Sequence, residues 1–210
     1  MRVLLWLVSG LVLSACAAKP SVSEFQCKAG DWQTIGYRDG ASGLLSSKLL
    51  AHQDACGAYA IVPDRRAYLS GWREGVSHFC TAANGFDLGS RGQRHNSVCV
   101  GELAQPFVSA YTDGLQIYTL QREVNDLAHR LQEREQRLHA LKREMTDVAA
   151  AQLDPVLTAQ QRIQLVADLH DMAEERGEIL AQIPVLEEQL AAKEIELERV
   201  QQLLAEVAYN

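Results

Sequence analysis

Past its first fifteen residues this chain has no apolar run approaching the roughly twenty residues that a membrane-spanning helix needs. Nor is there a Gly-x-Ser-x-Gly elbow, a His-Glu-x-x-His pair or a glycine-rich phosphate loop, so the commonest signatures of hydrolases, metalloproteases and nucleotide-binding enzymes are missing. No Cys-x-x-Cys occurs, and His52 and His78 stand at irregular distances from Cys56 and Cys80, which argues against a zinc site. Excess positive charge is lacking as well. Lys and Arg number 20 against 27 Asp and Glu, which excludes a broad nucleic-acid surface and broad adsorption to anionic lipid. After Cys99 there is no cysteine at all.

What is present begins with one basic residue, Arg2, an apolar stretch from Val3 to Val12, and Leu13-Ser14-Ala15-Cys16. A charged start, a short apolar span and small residues before a cysteine make a lipoprotein signal peptide. Export, cleavage before Cys16, and acylation of its thiol and new amino group, for instance with palmitate, are expected. In a host with two membranes, Ala17, where an aspartate would retain the protein in the inner one, is expected to direct it to the outer membrane, facing the periplasm. Residues 1–15 are then the signal peptide and 16–25 a lipidated tether. The acidic excess lies late in the chain: Ala17 to Leu120 holds nine basic and nine acidic residues, Gln121 to Asn210 ten and eighteen. Cys27, Cys56, Cys80 and Cys99 are an even set confined to one half of an exported chain, and read as two disulfides. Of the three connectivities, Cys27 with Cys56 and Cys80 with Cys99 is favoured, because each pair brackets one local motif.

Within residues 26–116 a pattern repeats: Gly36-Tyr37-Arg38-Asp39-Gly40 and Gly71-Trp72-Arg73-Glu74-Gly75, with a weaker echo in Ala110-Tyr111 before Gly114. Glycines four apart clear one helix face and let another helix approach. Gly36, Gly40, Gly71 and Gly75 are therefore expected to be structural contact points in a small disulfide-bonded helical head. Its helices are expected from Asp31 to Cys56 with a break near Gly40 to Gly43, from Pro63 to Phe79, and from Ala104 onward. The segment from Cys80 to Cys99, with Asn84-Gly85, Gly89 and Gly92, reads as a turn-rich loop. Asp39 and Glu74 admit a reading as paired carboxylates of a glycosidase, but duplicated acids at duplicated packing positions are first explained as caps or ion pairs.

Residues 117–210 read as a coiled-coil helical hairpin. Ile117, Leu120, Val124, Leu127, Leu131, Arg134, Leu138, Leu141, Met145 and Val148 follow alternating three- and four-residue steps, as does a second series from Leu165 to Val207. Asp154-Pro155 marks the turn between them. Centred on Pro155, the hairpin would set Leu120 against Leu190, Leu127 against Ile183, Met145 against Leu165 and Arg134 against Arg176. Leu197, Val200, Leu204 and Val207 would then dock on the head beside Leu103, Phe107 and Tyr111. Pro184 should kink or break the second helix. The fold class is all-α.

Taken with Asp31-Trp32, Ile35 through Gly43, His52 before Ala55-Cys56, Val62-Pro63-Asp64, Asn84-Gly85 and Val98-Cys99, the chain resembles the bacterial lipoproteins grouped as domain of unknown function 2799. The resemblance implies an envelope lipoprotein with a disulfide-bonded head, and no reaction.

The functional expectation is a non-enzymatic, cofactor-free envelope protein, whose anchored head presents a coiled-coil arm to a periplasmic protein partner or to a second copy. The alternative is a peptidoglycan or small-molecule binding module in which Trp32, Tyr37, Tyr68 and Trp72 form a stacking surface. No catalytic, cofactor or metal residue is assigned.

Overall fold

The computed structural model describes residues 20–207. Among them are seven α-helices, one short 3-10 turn and no strand: α1 (Glu24–Ala29), α2 (Trp32–Ala41), α3 (Lys48–Gly57), α4 (Arg65–Phe79), α5 (Ala82–Ser90), α6 (Ala104–Ala151) and α7 (Ala159–Ala205). The expected lipidation site at Cys16 and the expected signal peptide lie outside the described residues. Two compact units meet in sequence at Phe79 and Cys80. α6 runs unbroken through positions 116 and 117, where the sequence suggested the head would give way to the hairpin.

In the first unit α1, α2 and α4 each start where a side chain caps them, while α3 has no side-chain cap. Ser23 and Gln26 form a capping box on α1, and Asp31 accepts from the Thr34 amide at the start of α2. Asp64, next to Pro63, accepts from the amides of Arg66 and Ala67 ahead of α4. α2 and α4 then run parallel and extremely close. A Cβ on Gly36 would strike the carbonyl of Tyr68, and one on Gly40 that of Trp72; one on Gly71 would strike Gln33, and one on Gly75 Tyr37. All four glycines are buried. The core beside this contact is Val22, Trp32, Ile35, Leu49 and Tyr68, with the Cys27–Cys56 disulfide between them, Cα atoms 5.6 Å apart.

The second unit repeats this construction. Where sequence predicted a loop between Cys80 and Cys99, α5 forms, capped by Thr81 accepting from the Asn84 amide. Its glycines mark helix contact rather than turns: a Cβ on Gly85 would strike Phe107, and one on Gly89 would strike Tyr111, while one on Gly114 would strike Phe86 in return. The Cys80–Cys99 disulfide closes the loop ahead of α6, its Cα atoms 5.5 Å apart.

The correspondence is residue by residue. Two residues past the end of α2 stands Gly43 and two past the end of α5 stands Gly92, both left-handed (φ 68° and 62°) and both covered by an aromatic ring, of Phe79 and Tyr118 respectively. The aromatic after the first small residue of the partner helix donates to the carbonyl just past that glycine: Trp72 Nε1 to Leu44 at 2.8 Å, Tyr111 hydroxyl to Gln93 at 3.0 Å. His52 and His95 each stand four residues before a disulfide cysteine and meet an aromatic edge to face, Tyr68 at 5.9 Å and Phe107 at 5.1 Å. The repeating unit is thus a helix pair. The two motifs that look like copies of one another in sequence are the two facing helices of a single pair.

α6 and α7 form the antiparallel hairpin, with Thr158 and Gln161 as the capping box of α7. The apolar series read from sequence are its least exposed positions, but the register differs. A turn centred on Pro155 would set Glu123 against Glu187, whereas Lys193 bonds Glu123 at 2.9 Å, and Leu197 packs with Leu120 and Val124. α7 is displaced by roughly one to two turns along α6. Arg162 explains the stagger: its guanidinium holds the carbonyls of Gln152 and Asp154 at 2.7 and 2.8 Å, so α7 starts beside the last turn of α6. Apolar seams a heptad apart are nearly equivalent, and the charges select between them. The polar layer is accordingly Arg137 with Glu175, at 2.7 Å, while Arg134 and Arg176 are exposed. Leu197 and Val200 pack on Ile117, Leu120 and Val124 rather than beside Leu103 and Phe107. α7 continues through Pro184 without a break.

Candidate functional site

The helix pair of the first unit encloses a polar network that the second pair lacks. Tyr68 donates to Asp39 Oδ2 at 2.7 Å, His52 Nε2 lies 2.7 Å from the same oxygen, and His52 Nδ1 lies 2.8 Å from Ser21 Oγ. Ser21 in turn donates to the Ala51 carbonyl at 2.8 Å. The Asp39 carboxylate only accepts, so the imidazole donates to it from Nε2. His52 is 1% exposed and Tyr68 0%. Burial first, and the bond to Asp39 second, hold the Tyr68 phenol well above its usual range.

A serine, a histidine and an aspartate in a row invite comparison with a nucleophile relay. Here the Ser21 proton is committed to a backbone carbonyl and the imidazole is sealed from solvent, so the arrangement fastens elements together. It ties the segment before α1 to α3, and α3 to α2 and α4. At the equivalent places the second pair has Leu88 for Asp39 and Phe107 for Tyr68. The same scaffold stands there without the polar bonds. The recurrence of His-x-x-x-Cys at His52–Cys56 and His95–Cys99 was the sequence signal for this site, and sequence reasoning passed over it.

The other sequence candidates separate. Asp39 belongs to the buried network, while Glu74 is exposed and lines a shallow cleft of about 310 Å³ with Asp31, Gln33, Thr34 and Tyr37. They do not form a carboxylate pair. Trp32 and Tyr68 are core residues, 3% and 0% exposed, and the indole of Trp72 is bonded to Leu44, so the four aromatics do not make one stacking face. All four cysteines are spent in disulfides. No described helix is long and apolar enough to cross a membrane.

The hairpin carries a series of exposed apolar side chains. Ile163, Val166, Leu180, Val185, Ile195 and Leu203 of α7 are all between 45% and 63% exposed, whereas α6 beyond Val108 shows no comparably exposed large apolar residue. α7 therefore has apolar side chains outside the seam as well as in it. Around them ten carboxylates stand against four Arg and Lys. Between the helices near the turn lies a groove of about 620 Å³ lined by Leu138, Met145 and Leu180 among others. Arg137 is bonded across the seam to Glu175 and along its own helix to Glu144, which together hold its guanidinium above its ordinary range and the Glu175 carboxyl below its own.

Residues 31–116, which take in both helix pairs and the start of the long helix, match the model of the family described as protein of unknown function (DUF2799). No curated protein and no solved structure matches the chain.

Proposed function

We propose that this chain, whose residues 31–116 match that family's model, is a non-enzymatic lipoprotein of the cell envelope. It is anchored through Cys16 to the periplasmic face of the outer membrane and offers α7 to a protein partner. The observation that carries the reading is the asymmetry of the hairpin: α7 alone keeps six large apolar side chains exposed outside the seam. Such surface on an ordered helix marks a contact face. The acidic surround of α7 gives the partner its chemistry, an amphipathic helix with basic flanks, since opposite charge steers and orients association. The lipobox supports the address, and the disulfides support an oxidising compartment.

Site-specific photo-crosslinking of the full-length chain in cells tests this. Probes at Val185 and Ile195 should give one discrete adduct that weakens at high salt, while probes at Glu133 and Asp126, on exposed α6 positions, should give none. Adducts that form equally from α6, or none from α7, would overturn the reading. Self-association would show as an adduct of twice the chain mass, and would make the partner a second copy.

A further inference from the structure

The tether is shorter than the sequence suggests. Ser21 is bonded to the Ala51 carbonyl and to His52, Val22 is 5% exposed, and Cys27 is joined to Cys56. The chain is part of the head from residue 21 onward. Cys16 and Ser21 are five residues apart, which even fully extended span at most about 18 Å. Two exposed large apolar side chains lie close in sequence to the residues that hold this end of the chain. Phe25, four residues after Ser21, is 79% exposed, and Leu50, next to Ala51, is 62% exposed. On α1 the charges Glu24 and Lys28 are paired with each other at 2.6 Å, and α3 adds one of each sign, Lys48 and Asp54, so neither helix carries a formal charge excess with which to select anionic headgroups.

We propose that the surface of the first unit around Phe25 and Leu50 docks on the bilayer leaflet that holds the anchor, so that the head is fixed against the membrane rather than swinging on a leash. The proposal rests on the lipidation of Cys16 put forward above. An anchor this close keeps the patch at a high effective concentration beside the interface, where even two apolar side chains suffice to orient the head. The Cys27–Cys56 disulfide and the Ser21–His52–Asp39 bonds make the patch rigid with respect to α2, α3 and α4. Orientation of the patch is therefore orientation of the unit.

The test uses the mature lipidated chain in phosphatidylcholine vesicles whose acyl chains carry bromine, a short-range quencher of tryptophan. Phe25→Trp and Leu50→Trp are compared with Leu153→Trp in the hairpin turn, where the native residue is 83% exposed, each corrected for the emission of the unsubstituted chain. Quenching several-fold stronger for Phe25→Trp and Leu50→Trp than for Leu153→Trp is expected. Equal quenching in a chain whose mass shows acyl groups on Cys16 would overturn the docking and leave the lipidation standing. A chain without acyl groups would overturn the lipidation, and the docking with it.

Discussion

Glycine has opposite meanings at two helical positions of this chain. Gly71 sits against the Gln33 carbonyl with no room for a Cβ, while Gly177 in α7 has nothing within 4 Å of where one would be. Alanine is the better helix former by about 1 kcal/mol, so Gly177→Ala should stabilise by roughly that amount. Gly71→Ala must force the helices apart against backbone atoms and should cost about 1–3 kcal/mol. Thermal melts of the two variants check the contrast. The buried network gives a second contrast. Asp39→Leu, which installs the residue found at the equivalent Leu88, strands the imidazole and phenol without an acceptor and should cost about 3–5 kcal/mol. Tyr68→Phe, which copies the equivalent Phe107, keeps the shape and should cost only about 1–3 kcal/mol. Tyr68 also sets an alkaline limit. Its phenol is held above its ordinary value near 10, so the folded state binds that proton more tightly than the unfolded chain does. The stability this contributes is complete below pH 10 and is lost as pH rises beyond it. Denaturation midpoints of wild type should therefore fall more steeply above pH 10 than those of Tyr68→Phe.

Among the elements, the helix pairs show which patterns a sequence displays and which it conceals. The four-residue glycine spacing exposed the contact of α2 with α4, because two clean copies stood in one chain. α5 was hidden because Asn84-Gly85, Gly89 and Gly92 have the composition of turns; only the carbonyls of Phe107 and Tyr111 pressing on Gly85 and Gly89 turn those glycines into helix contacts. In the same way the apolar seams of α6 and α7 were plain, but their register was not, since it depends on Arg162 reaching back to Gln152 and Asp154 and on Lys193 meeting Glu123. That ion pair is exposed and its value lies in register rather than strength. Lys193→Glu should lower the melting temperature or broaden the transition, and adding Glu123→Lys should restore it. No recovery in the double variant would mean that the pair does not set the register. One disulfide joins α1 to α3 in the first unit, and the other closes the segment that holds α5 in the second. By the chain-entropy relation, removal of either one should cost about 3–4 kcal/mol.

Across the whole molecule, address, scaffold and partner chemistry have different sources. The proposed address rests on residues 1–16, the two helix pairs on packing that sequence reveals only in part, and the proposed partner chemistry on the exposed apolar and acidic character of α7. The buried His52 network connects the first of these to the second, because it binds the chain that follows the proposed anchor into the head at Ser21. Everything proposed about membrane and partner depends on that anchor. It is tested most directly by the intact mass of the full-length product extracted from membranes. The mature chain should begin at Cys16 and carry the added mass of a diacylglyceryl group and an amide-linked acyl chain, both lost in Cys16→Ala. A chain that begins at Met1, or one cut at Cys16 without lipid, would contradict the account.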